Sequence, residues 1–196
     1  MQRPIIMLLK WPLPLLALQI RRSVMPAECA ISIRPEKATD TEAIRQVHRQ
    51  AFGRAEEAQL VDNLREADLI KASLVALEND KIVGHILFSD FPIQTEKQTV
   101  NALALAPMGV LPDYQGKRIG SKLVKEGLDV CRQKGHHIVI VLGYPEFYGK
   151  FGFSAELTKS LDAPFAGESF MAVELTPGAM TGIKGSVKYP KPFDDL

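Results

Sequence analysis

The most regular pattern in the chain is "IGSKLVKEGLDVCRQ", residues 119 to 133. At about 100° per residue, Ile119, Leu123, Val124, Gly127, Leu128, Val130 and Cys131 fill one half of a helical wheel. Ser121, Lys122, Lys125, Glu126, Asp129, Arg132 and Gln133 fill the other. Such a helix must bury its apolar half, because exposed apolar surface costs roughly 25 cal/mol per Å². "TVNALALAPMGV" before it and "HHIVIVLG" after it are apolar runs of strand length. The pattern predicts a helix lying on a sheet that contains both runs.

The remaining segments follow the same two periods. "ISIR" alternates as a short strand, and "TDTEAIRQVHRQAF" is helical, with Thr39 and Glu42 at capping-box spacing and Ile44, Val47 and Ala51 on one face. "AEEAQLVDNLREA" is a second helix, and "SLVALE" and "KIVGHILFS" form a hairpin turning at Asn79-Asp80. Pro107 and Gly109 break the next strand, which predicts a bulge or a sheet edge. A short helix around "PEFYGKFG" and a last strand, "SFMAVELT", complete the order β-α-α-β-β-β-α-β-α-β. That order predicts an α/β (α+β) fold with one mixed sheet, not a repeating doubly wound one.

Length and charge narrow the function classes. A chain of 196 residues is expected to form one domain, and a net charge of +1 gives no overall attraction to nucleic acid or membranes. Two cysteines, Cys29 and Cys131, make neither a disulfide framework nor a metal-ligand spacing, so a cytoplasmic setting is expected. Residues 1–25 differ from the rest: they are basic, apolar and free of acids. Lys10, Pro12 and Pro14 interrupt them, against a secretory signal or a membrane span. A start set upstream of Met25, or an organelle-targeting segment, fits better. The expected division is a leader at 1–25, a catalytic domain at 26–176 and a C-terminal tail at 177–196.

The chemistry concentrates in "LPDYQGKRIGSKLV", residues 111 to 124, where a strand runs through a polar turn into the amphipathic helix. Several N–H groups at that helix start lack intrahelical partners and, with the helix dipole and Lys117 and Arg118, suit a diphosphate. A plain β-to-α turn with a solvated basic face accounts for the same residues. A P-loop is excluded, because Leu111 stands where its first glycine belongs and Arg118 where its Ser or Thr belongs.

"QGKRIG" resembles the Gln/Arg-x-x-Gly-x-Gly/Ala signature of the GNAT superfamily of acetyl-CoA-dependent N-acetyltransferases, and "FYGKFGF" resembles its later Tyr-x-x-x-Gly-Phe motif. The resemblance covers about residues 31 to 175, and "AFGRAEEAQLVDNLRE" and "VLGYPEFYGKFGF" are similar to a bacterial subgroup of that superfamily. One position departs: Arg118 replaces the first signature glycine, while Gly120 is retained. The resemblance implies a mostly antiparallel mixed sheet with helices on both faces, and acetyl-CoA as co-substrate without a metal. It implies that Gln115, Gly116, Lys117, Arg118, Ile119, Gly120 and Ser121 surround the pyrophosphate of coenzyme A. Met108 and Val110 would offer backbone groups to the pantetheine arm, which enters where two strands splay apart.

The implied reaction is direct attack of an amine on the thioester in a ternary complex. Tyr148 matches the position that protonates the leaving thiolate; its alternative is an aromatic packing against the sheet. Glu57, in the first turn of the second helix, is either a base or acceptor-binding group or a partner of the helix dipole. His48, His85 and Cys131 read as packing residues, and the adjacent His136 and His137 point to opposite faces of a strand, unsuited to one metal. The expected partner is a small-molecule or protein amine, with no nucleic acid and no membrane; homodimers are frequent in the superfamily. The rival reading is a non-catalytic module that binds acyl-CoA and reports on it.

Overall fold

The computed structural model describes residues 30–164 and 166–193; the leader at 1–25 lies outside them. The main sheet has six strands in the order β1 (Ile31–Pro35), β2 (Ile70–Glu78), β3 (Lys81–Asp90), β6 (Leu103–Val110), β7 (Ile138–Leu142) and β9 (Phe170–Glu174). Its neighbours pair antiparallel except β6 and β7, which run parallel. The β2–β3 hairpin turns at Asn79, whose φ of 54° is the left-handed conformation that Asn tolerates.

The helices divide between the two faces. Helix α3 (Ile119–Gln133) buries Ile119, Leu123, Val124, Leu128 and Cys131 in a core with Leu74, Ile86, Phe88 and Leu105. Helices α1 (Thr41–Phe52) and α2 (Glu56–Glu66) place Ile44, Leu60, Val61 and Leu64 in a second core with Val75, Leu77, Leu87 and Ala104. A short α4 (Pro145–Tyr148) follows β7. At the start of α1 the expected Thr39–Glu42 box is replaced by Asp40. Its carboxylate accepts from the Lys37 N–H at 2.7 Å and from Arg34 at 2.6 and 3.0 Å, because a doubly held carboxylate outcompetes a hydroxyl. Glu42 bonds to Arg45 and Gln46 instead.

All ten expected elements occur in the expected order, and β6 is not an edge. Its irregularity is a bulge: Ile86 pairs with Met108 and Phe88 with Leu105, so two steps on β3 face three on β6. Because side chains alternate with period two, the extra residue resets which face each one meets. Leu103 and Leu105 face α3 before the bulge, and Met108 and Val110 do so after it. Gly109 turns toward α1, where an added Cβ would lie 3.0 Å from His48 Nδ1.

A second, four-stranded sheet was not expected. It joins β5 (Thr99–Val100), β4 (Ile93–Gln94), β10 (Gly185–Val187) and β8 (Leu161–Asp162). Through β10 the segment after residue 176 enters the fold, and its Met180, Val187 and Phe193 belong to the α1–α2 core. No helix among the described residues is long and apolar enough to cross a membrane.

Candidate active site

The turn between β6 and α3 forms a groove of about 460 Å³. Met108, Val110, Gln115, Gly116, Arg118, Ile119, Gly120 and Ser121 line it, and Tyr114 and Phe147 complete its walls. The first α3 bond runs from the Lys122 N–H to the Arg118 carbonyl, so the N–H groups of Ile119, Gly120 and Ser121 precede the helical ladder. Two residues bend the chain here: Gly116 at φ 74° and Arg118 at φ 61°. The left-handed region costs an L-residue roughly 1–2 kcal/mol, so Arg118 occupies a backbone position better suited to the signature glycine. Gln115 anchors the turn by donating from Nε2 to the Val110 carbonyl at 3.0 Å. Lys117 lies over the Tyr114 ring at 4.7 Å, outside the groove lining. At Gly120 an added Cβ would lie 3.6 Å from both Met108 Cε and Phe147 Cζ, so the missing side chain is what keeps this end of the groove open.

Beyond the groove, β6 and β7 separate. They pair only at Leu103–Val139 and Ala104–Ile140. Past that point, mostly on the face opposite α3, lies a cavity of about 600 Å³ bordered by Ala104, Ala106, Ile140, Phe91 and Tyr189, with Leu105 and Val141 of the α3 core reaching it. The groove and the cavity thus occupy opposite faces of one strand, with the gap between β6 and β7 beside both.

Tyr148 follows the groove residue Phe147 and is 8 % exposed, its ring covering Gly143 at the end of β7. Burial pushes the phenol up to about 12, which keeps it protonated as a hydrogen-bond donor. Glu57 is not the exposed first-turn acid that its position suggests. It is 5 % exposed and held by Arg54, whose Nε donates at 3.0 and 3.1 Å, and it lines neither the groove nor the cavity. Cys131 is buried, and burial pushes its thiol up to about 12, as befits a core residue. Among the described residues no group of three His, Cys, Asp or Glu could hold a metal, and His137 bonds to Thr176.

A partly buried polar chain runs from β2 and β3 to α1. Ser73 donates to Glu36 and meets His85 Nε2 at 2.8 Å; His85 Nδ1 meets His48 Nε2 at 2.7 Å. Arg65 donates to Glu36 at 2.6 Å. Burial would raise Glu36, but the adjacent His85 imidazole and the hydrogen bonds from Ser73 and Arg65 outweigh it and hold the carboxyl down to about 2. Burial lowers both histidines, His48 to about 3, so both are neutral. The bond directions then follow: His85 donates from Nε2 to Ser73, and His48 donates from Nε2 to His85. The His48 Nδ1 lone pair has no partner among the described residues. These groups come from the residue after β1 and from α1, α2, β2 and β3, and only the fold brings them together.

Comparison with known proteins agrees with this geometry. The profile of the acetyltransferase (GNAT) domain matches residues 32–155. The uncharacterized N-acetyltransferase YhbS of Escherichia coli is 31 % identical over 165 residues, spanning 83 % of this chain and 98 % of that protein. Its crystal structure in complex with CoA matches with a TM-score of 0.76, covering 83 % of this chain and 91 % of that one. A GNAT family acetyltransferase from Brucella melitensis, solved in complex with acetyl-CoA, is 33 % identical with a TM-score of 0.71, covering 85 % and 99 %. With the matched domain spanning both signature motifs and the splayed strands, the chain belongs to the GNAT acetyltransferase family.

Proposed function

We propose that this chain moves the acetyl group of acetyl-CoA to an amine by direct attack in a ternary complex. The observation that carries the reading is the groove at the start of α3, where glycine and left-handed turns leave backbone N–H groups facing open space beside the splayed strands. Gln115, Gly116, Arg118, Ile119, Gly120 and Ser121 would hold the pyrophosphate, with Lys117 supplying charge nearby. Met108 and Val110 would border the pantetheine arm, and the gap between β6 and β7 would admit the acyl end. The complexes of the two similar proteins with CoA and acetyl-CoA support acetyl-CoA as the co-substrate.

The neutral amine attacks the thioester carbonyl, the C–N bond forms, and the C–S bond breaks as the oxyanion collapses. Tyr148, to which the resemblance gives the general-acid position, acts in this reading as a hydrogen-bond donor to the leaving group. A phenol held near 12 is a weaker acid than a thiol at about 8.5, so it serves by a hydrogen bond to the departing sulfur, and the proton lost by the amine ends on the thiolate. Glu57, committed to Arg54 and outside the linings of both the groove and the cavity, is assigned no role as the base. The setting is cytoplasmic.

Calorimetric titration with acetyl-CoA and, separately, ATP at one ionic strength tests the reading. Saturable binding of acetyl-CoA, absent for ATP and lost in Gly120→Trp, is expected. A folded protein that binds neither would overturn it.

A further inference from the structure

The cavity beyond the strand gap has a chemistry that selects its ligand. Its floor is Ala104 and Ala106, small enough to leave depth, and its roof is an aromatic cluster. The Tyr189 ring lies 4.7 Å from Phe91 and 5.2 Å from Phe193. At about 600 Å³ it falls within the range of small-molecule sites. Among its described lining residues the one charged side chain is Lys188, exposed at the rim, and no acid is present. A site for a polycation needs carboxylates, because a desolvated ammonium without a partner is costly. This wall offers the opposite: an apolar body site with one ammonium at its edge.

We propose that the acceptor is a small amine with an apolar or aromatic body and a carboxylate, bound in this cavity with the carboxylate toward Lys188. It rests on the acetyl-transfer reading above. The body fills the space between Ala106 and the Phe91–Tyr189–Phe193 cluster, and the amine faces the gap through which the thioester is reached from the other face of β6. The acceptor surface is then shared between the strand residues of β6 and β7 and the C-terminal segment that carries Lys188, Tyr189 and Phe193.

The test uses the full chain, acetyl-CoA and four probes: L-phenylalanine, L-leucine, L-phenylalaninamide and spermidine, with turnover followed by thiol release and acetyl-CoA affinity measured separately by calorimetry. The expected kcat/KM for the two free acids is at least tenfold above that for the amide and a hundredfold above that for spermidine. Lys188→Glu should lower turnover of the acids about tenfold and leave the amide within twofold, and Ala106→Leu should suppress all turnover with acetyl-CoA affinity unchanged. A chain ending at Phe193, which removes Asp194 and Asp195, should keep the same ranking. If spermidine or the amide is preferred, if Lys188→Glu changes nothing, if the shortened chain reverses the ranking, or if acetyl-CoA binds but no probe turns over, the inference is overturned. Failure to bind acetyl-CoA at all would overturn the acetyl-transfer reading instead.

Discussion

Gly120 shows how a single residue can trade stability against function. An added methyl would make ordinary contacts at 3.6 Å with Met108 and Phe147, so the fold tolerates it, yet it would stand in the groove. Gly120→Ala should therefore stabilise α3 by about 0.5 kcal/mol while weakening acetyl-CoA binding about tenfold, read from thermal melts and calorimetry on one preparation. Tyr148 makes a second, pH-dependent case. With its phenol near 12, no loss of rate below about pH 11 should trace to its ionisation, and Tyr148→Phe should lower kcat about 100-fold with acetyl-CoA affinity kept. Glu36 titrates at the other extreme. Its folded pKa of about 2 lies below the unfolded value, so its contribution is complete above about pH 4.5 and is lost as pH falls toward 2. Acid unfolding should thus shift to higher pH in Glu36→Gln. The groove residues could be read in the sequence because one continuous segment carries them. The Glu36–Ser73–His85–His48 chain could not, because its four residues come from separate segments of the chain and no spacing announces it.

At the scale of elements, the bulge in β6 decides the site. Without the extra residue at Ala106–Pro107, Met108 and Val110 would face α1 and the groove would lose the strand side of its wall. Past the bulge, the only room on the α1 face is a glycine's worth: a Cβ at Gly109 would meet His48 Nδ1 at 3.0 Å and Ala51 Cβ at 3.3 Å. Gly109→Ala should destabilise the protein by about 1–3 kcal/mol, measured by urea unfolding, with α3 and the groove intact. The breaker pair Pro107 and Gly109 was visible in the sequence, and so was the amphipathic face of α3, whose buried residues are those the wheel selects, save the half-buried Val130. The second sheet was not visible. Its β4, β5 and β8 have two residues each and β10 has three, too short for any period to register, and β10 pairs with strands far away in sequence.

For the whole molecule, the groove and the cavity share β6 but take the rest of their walls from different parts of the chain. The groove uses β6, α3 and α4, which pack around the α3 core; the cavity needs β10 and the residues after it to roof the opposite face. Gly185 secures that roof, because any Cβ there would collide with the Gln94 carbonyl across the second sheet. Val187 and Phe193 then cover Phe91 and Ile93, both fully buried. Removing the roof exposes a face of the core, at about 1.5–3 kcal/mol for each large side chain uncovered, and should lower the melting temperature by about 10 °C or more. It should not touch the groove. A chain ending at Lys184 is therefore expected to bind acetyl-CoA within about twofold of the full chain, while its turnover of L-phenylalanine falls at least tenfold and its preference over spermidine disappears. Equal losses of cosubstrate binding and turnover would show instead that the two faces of β6 act as one unit, and that the C-terminal segment serves the fold before it serves the acceptor.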